Sequence, residues 1–293
     1  MTAEITADVP VRTRRLGGAV KRVLASRNGL VGAFLTVLVV GVAIAATLGV
    51  FGDPVAQDPA VRMQGPSAEH WFGTDQFGRD VFARAAAGAA NSLRIAIVAV
   101  ALATLVGTTA GLVAGYFSGW SSRAILGMTN VLFAFPPLLL ALALAAAVSR
   151  SWLTIAVAIA IVYTPIFVRV TRGPVLSLRE AEFVKAGTVL GFSTARILLR
   201  HVLPSITAIV IVQVTLSLSW AVLTEASLSF LGLGTPPPTP SLGSMVLEAR
   251  SLVTTAWWTM AAPGAVIVLL VVGLNLLGDG LRDALDPKNE GNR

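Results

Sequence analysis

Few side chains along these 293 residues are of the kinds that usually carry out chemistry. There is no cysteine, and the two histidines, His70 and His201, lie far apart in the chain. A Cys/His zinc site, an iron–sulfur cluster and a c-type haem attachment are therefore excluded. No G-x-x-x-x-G-K-[ST] run is present, so the chain has no phosphate loop with which to hydrolyse a nucleotide. No Ser/His/Asp constellation stands out either. What remains is charge in unusual places. His70 to Arg84 reads HWFGTDQFGRDVFAR. Gly73 and Gly78 permit tight turns there, within which Asp75, Arg79 and Asp80 can pair. A calcium loop needs D-x-[DN]-x-[DN]-G, which is absent, so a folded cap with internal charge pairs is expected. Glu225 is a different case, a carboxylate at the end of a long uncharged run. A charge at the centre of a lipid-embedded helix costs at least about 2.5–3.5 kcal/mol, so Glu225 is expected to face protein or water.

The elements that hold these residues are apolar. Hydrophobic residues make up 55% of the chain and charged residues 13%, with a mean hydropathy of +0.79. Water-soluble domains carry roughly 25% charge, so an ordinary soluble globule is excluded, and the hydrophobicity excludes disorder. Six windows contain no charge at all: 28–52, 95–122, 124–149, 151–168, 201–224 and 251–278. About 20 apolar residues of helix cross a bilayer, and in lipid the backbone must satisfy its own hydrogen bonds. Each window is therefore expected to be a membrane helix. Barrel strands are shorter and alternate in polarity. The first apolar run is also too long for a cleaved secretory signal and is expected to be a retained anchor.

Lys and Arg set the orientation. With the N-terminus inside, the inner segments 1–27, 118–123, 169–204 and 279–293 hold 16 of the 22 basic residues. The chain is then expected to have both termini in the cytoplasm. The parts are an inner segment 1–27, an anchor helix 28–52, an outer loop 53–92, a five-helix core 93–278 and a tail 279–293. The core includes the inner loop 169–204 and an outer loop 231–256. This distribution also accounts for the net charge of +7, since basic residues lie where anionic headgroups are, and nucleic acid is not needed as a partner.

The inner loop reads RVTRGPVLSLREAEFVKAGTVLGFSTARILLRHVLP from Arg169 to Pro204. Pro174 is expected to stop the preceding helix, and Ser177 with Glu180 fits a capping box. The spacing predicts a helix over 178–190, with Arg179, Glu182 and Lys185 paired at i,i+3 and Phe183, Val184 and Gly187 beside them. Gly191 is the expected left-handed terminator. Ser193 caps a second helix carrying Arg196 and Arg200, and Pro204 opens the next span. The result is a helix–turn–helix projecting from the membrane, suited to docking in another protein's groove.

This loop resembles the EAA coupling motif of ABC importer permeases, in which E-A-A, three residues, Gly, nine residues and I-x-L-P contact the ATPase subunit. Here Lys185-Ala186-Gly187 precedes Gly191, and His201-Val202-Leu203-Pro204 follows. Lys185 stands for Glu, Gly187 for Ala and His201 for Ile. Two outer segments are similar to the C-type subunit of dipeptide, oligopeptide and nickel permeases: HWFGTDQFGRD from His70, and EASLSFLGLGTPPPTPSLGSM from Glu225 to Met245. The tracts Gly111 to Trp120 and Phe133 to Leu144 resemble the family as well. Gly107, Gly111 and Gly115 have the small-xxx-small spacing of close helix packing.

The resemblance implies an all-α integral membrane protein with six transmembrane helices, in the type I ABC importer permease fold with cytoplasmic coupling helices. It implies contact with the ATPase through Glu182, Phe183, Val184, Lys185, Ala186, Gly187, Gly191, Phe192, Ser193, Arg196, Arg200, His201, Leu203 and Pro204. Glu225, Ser229 and Phe230 are expected on the translocation path or its outer gate. The implied partners are a homologous second permease, one or two ATPase subunits and an extracytoplasmic substrate-binding protein, in a bacterial inner membrane. ATP and Mg are expected on the ATPase partners, with no cofactor in this chain. The cargo is expected to be a dipeptide or oligopeptide; nickel, haem, glutathione or another small solute is the alternative. A proton-coupled secondary transporter would show internal repeats and several ionisable residues in mid-span, where Glu225 is nearly alone.

Overall fold

A computed structural model describes residues 16–285, with side-chain surroundings given from residue 21 onward. Within these residues the chain is helical, with no strand beyond an isolated bridge between Thr74 and Asp80. The helices are α1 (Leu16–Ala25), α2 (Arg27–Thr47), α3 (Val81–Tyr116), α4 (Trp120–Phe133), α5 (Pro137–Ala146), α6 (Trp152–Arg179), α7 (Glu182–Val189), α8 (Thr194–Ile197), α9 (Leu203–Phe230), α10 (Leu242–Ala249) and α11 (Trp258–Leu285). Five stretches are long and apolar enough to cross a membrane: α2, α3, α6, the run Thr194–Phe230 and α11. The pair α4–α5 makes a sixth if its two halves count as one span.

The centre of the bundle is the contact between α3 and α6, and the glycine spacing explains it. A Cβ on Gly107, Gly111 or Gly115 would lie 2.5–2.8 Å from the side chains of Phe167, Thr171 and Val175. Residue numbers rise together along the two helices, so they run parallel. Without a hydrophobic force between helices in lipid, such backbone approach is what provides dispersion contacts. α9 runs antiparallel to α3, pairing Glu225 with Ser92 near one end and Ile206 with Leu112 near the other. The main core holds Ile95, Ala99, Ile155, Ile159, Phe167, Val222 and Leu228.

Three expected boundaries are corrected. The window 124–149 is not one straight helix, because α4 and α5 meet at 92°. Pro136 and Pro137 lie at the break; neither has an N–H to continue the ladder, and each pushes the residue before it out of the α region. Second, α3 begins at Val81, well before the charge-free window, and its 36 residues extend about 54 Å. The added length carries Arg84 and Arg94, whose charges meet Glu248 and Asn91 at 3.1 and 3.0 Å. Third, Pro174 lies inside α6 and does not end it. Packing against α3 and neighbouring groups maintains a proline-containing membrane helix. The stop falls instead at Glu180–Ala181, and the Ser177 capping box does not form; α7 starts at Glu182 after Ala181. Beyond it, α8 passes without a break through a π turn, Leu198–Val202, into α9. Pro204 supplies the cause, since its missing N–H cannot bond the carbonyl four residues back.

Candidate functional site

The hairpin within 169–204 is α7, a turn and α8. It is anchored by one apolar row: Val184, Ile197, Leu198 and Val202 pack with Val175 of α6 and Leu112 of α3. Gly187 is buried against Phe192 and Ile197, which leaves no space for a large side chain. Gly191 takes φ +76°, and the N–H groups of Phe192 and Gly191 bond the carbonyls of Gly187 and Thr188, both at 3.0 Å, a Schellman ending. Phe192 is then held between the Arg196 guanidinium, 4.1 Å from the ring centroid, and the stacked ring of His201. Ser193 caps α8 through a long 3.4 Å bond to the Arg196 N–H. Leu203 is half-buried and Pro204 exposed, where the hairpin meets the span.

The charge pairing differs from the expected pattern. Glu180, not Glu182, joins Arg179 at 3.2 Å and Lys185 at 3.4 Å, because α7 starts two residues after Glu180 and turns Lys185 toward it. Hydrogen bonds from Lys185 and then Arg179 hold the Glu180 carboxyl below its usual range. Arg179 also donates to the Tyr116 carbonyl at 3.3 Å, fastening the hairpin to the end of α3. Glu182, Lys185, Ala186 and Arg200 project outward. So do large apolar groups: Val189 is 87% exposed and Leu190 71%, with Phe183 and Leu199 also open.

The opposite end of the molecule is built from closed charge pairs. Gly73 and Gly78 have φ of +72° and +75° in the turns around Asp75. Asp75 accepts the backbone N–H groups of Phe77 and Arg79 and the Arg79 side chain at 2.5 Å. Arg79 and Arg84 both donate to Glu248 of α10, at 2.8 and 3.1 Å. Asp80 caps α3 through the Ala83 N–H and faces His70 at 2.8 Å. Arg84 and Glu248 were not legible as members of this cluster, since 164 residues separate them.

Glu225 is 0% exposed, and its carboxylate accepts the hydroxyls of Ser92 (2.5 Å) and Ser229 (2.7 Å). It is therefore sealed between α3 and α9 rather than open to a cavity. Ser229 is buried with it, while Phe230 faces a cavity of 360 Å³ beside Leu223 and Ser227.

A larger cavity of 560 Å³ lies between the α4–α5 bend, α6 and α9. Its walls are Leu132, Phe135, Leu138, Val162 and other apolar groups on one side. On α9 a second set faces it: Gln213, Ser217, Trp220, Thr224 and Ser227. No lining residue is charged. The bend is braced by Arg169, whose guanidinium lies 3.9 Å from the centroid of Phe133 and donates to Asn130 at 3.1 Å. The alternating spacing of four and three residues along α9 was the signal in the sequence for this wall, and it passed unread among apolar neighbours.

No group of three or more His, Asp or Glu positioned for a metal occurs among the described residues. The arrangement is thus an uncharged cavity within a helical bundle and a hairpin whose tip lacks a partner among the described residues. The chain is 44% identical to the dipeptide transport system permease protein DppC of Alkalihalophilus pseudofirmus, over 92% of this chain and 89% of that protein. It is 43% identical to the glutathione transport system permease protein GsiD of Pectobacterium atrosepticum, over 77% and 75% of the two chains. Residues 107–291, which include the bend, the hairpin and the α9 wall, match the binding-protein-dependent transport system inner membrane component family, and the chain belongs to it.

Proposed function

We propose that this chain is the permease subunit of an ATP-driven importer, supplying half of the membrane pathway for dipeptides and oligopeptides. A homologous permease completes the pathway, and an extracytoplasmic binding protein delivers the cargo to the face bearing the 53–92 and 231–256 loops. Both termini and the 169–204 loop then lie in the cytoplasm, where one or two ATPase subunits, which hold ATP and Mg, grip the hairpin. The observation that carries this reading is the hairpin tip. Val189 and Leu190 stand exposed on a well-anchored element, in a chain without a nucleotide-binding loop of its own.

The coupling follows from the anchoring. The row Val184–Ile197–Val202 joins the hairpin to α3 and α6, so a pull on the tip is transmitted to the helices around the cavity. Closure of the ATPases on nucleotide thereby biases the bundle between two arrangements, a population shift driven by ligand. The substitution Val189→Asp with Leu190→Asp tests it. The permease pair is expected to assemble in the membrane while ATPase co-purification and ATP-dependent dipeptide uptake into vesicles are lost. Retained co-purification would refute the docking role.

A further inference from the structure

Val162 and Ile166 of α6 line the 560 Å³ cavity between the α4–α5 bend and α9. Residues three and four apart share a helix face, so the next position on that face is Arg169. Gly173 follows it, and a Cβ there would meet nothing within 4 Å. The face therefore runs from the cavity wall past Arg169 into open space, toward the hairpin. On α9, Gln213 belongs to the wall, and Ile209, one turn closer to the hairpin, is 45% exposed. Arg169 stands at this mouth as an exposed cation. Its own chain gives it neutral partners. The guanidinium lies 3.9 Å from the centroid of Phe133, itself part of the cavity wall, and donates to the Asn130 side-chain oxygen at 3.1 Å. Among the described residues, the ion pairs of Arg79, Arg84, Arg179 and Lys185 leave Arg169 without a carboxylate. Coulomb attraction grows about fourfold as the effective dielectric falls from about 80 to about 20, so an anion in the apolar cavity feels this cation.

We infer that Arg169 receives the carboxylate of the cargo at the mouth of the cavity nearer the hairpin. The inference rests on the peptide reading above and deepens it, by assigning a residue to the C-terminal carboxylate. A planar guanidinium grips a carboxylate through two parallel N–H···O bonds, which the Asn130 amide oxygen and the Phe133 ring cannot match. A carboxylate arriving from the cavity therefore displaces the weaker partners. Once the cargo leaves, Asn130 and Phe133 take the guanidinium back. That exchange keeps the hold modest, as passage needs binding good enough to enter and weak enough to leave. The rival arrangement is a carboxylate of the second permease fixed to Arg169, a pair indifferent to the charge of the cargo.

The test uses the complete importer in vesicles with three labelled dipeptides, Ala-Glu, Ala-Ala and Ala-Lys, each rate taken per assembled complex. A hydrogen bond to a charged group is worth a factor of about ten or more, so Arg169→Gln is expected to slow Ala-Ala about tenfold, Ala-Glu more and Ala-Lys less. Arg169→Lys, which keeps the charge, is expected to regain most of the Ala-Glu rate. Asn130→Leu removes the bond within the chain and keeps the cation, so any loss there is expected to be equal across the three. An equal loss in Arg169→Gln would make Arg169 a brace for the bend or a fixed pair with the second permease, and overturns the inference. Unchanged import, or a loss that Arg169→Lys does not relieve, overturns it as well. If the unaltered complex imports none of the three, the peptide reading falls and takes the inference with it.

Discussion

The two ends of this molecule handle charge in opposite ways. At the end bearing the 53–92 loop, Asp75, Arg79, Arg84 and Glu248 close on one another, and Arg84 is almost fully buried. At the hairpin end Lys185, Arg196 and Arg200 are exposed, and the apolar Val189 and Leu190 stand beside them. Surface charge next to uncovered apolar area is the composition of a docking face, whereas buried and mutually satisfied charge is a fastening. The difference teaches that one end is complete within the chain and the other waits for a partner. Both ends use the same backbone device: Gly191 after α7 and Gly232 after α9 have φ of +76° and +83° and close similar capping bonds. The contrast therefore lies in the side chains and not in the chain path.

The sharpest way to break this contrast is Arg84→Ala. It deprives Glu248 and Asp75 of a buried cation, and breaking a buried pair typically costs 3–5 kcal/mol; with Arg79 still present, about 3 kcal/mol is expected as a lowered unfolding midpoint in detergent. A loss under about 1 kcal/mol, the worth of an exposed pair, would mean that the Asp75 cluster is solvated and the contrast false. A smaller effect belongs to Gly191→Ala. Nothing lies within 4 Å of the added Cβ, so the cost is that of the left-handed backbone alone, about 1 kcal/mol. Hydrogen exchange is expected to quicken across 186–196 and to stay unchanged around Arg84.

The smallest effect is titration of Glu180. Its carboxyl titrates below the ordinary value of 4.5, so its pairing with Lys185 is fully in place above that pH and fades as pH falls through the lowered value. Protection factors in the hairpin, the intrinsic rate at each pH divided by the observed exchange rate, are expected to be flat from about pH 8 to about pH 5 and to fall in the acid range. Glu180→Gln should abolish that fall, and added salt should blunt it, since the pair is exposed and screened. An acid step that survives Glu180→Gln would assign it to another group.

The sequence was most informative where physics acts locally. Charge-free windows are long because lipid excludes charge over about 30 Å, and that constraint is visible residue by residue. Gly191 was legible because only a left-handed position ends a helix in this way, and Gly107, Gly111 and Gly115 because close packing repeats every turn. Pro174 misled because its effect on a helix depends on what packs around it. Pro136 and Pro137 mark a break in any helix, yet the 92° angle required the position of α6 and α9.

By itself, the sequence determined that the chain lives in a membrane as a set of helices, that it carries no G-x-x-x-x-G-K-[ST] phosphate loop, and that it holds a basic hairpin closed by Gly191. Composition and short-range spacing suffice for those. Only the tertiary structure decided that Glu225 is sealed by Ser92, that Arg84 meets Glu248, and that five α9 residues share a wall with Tyr163. Those pairings join residues tens to more than a hundred positions apart, and their partners are fixed by how helices pack, a long-range outcome that no local pattern encodes.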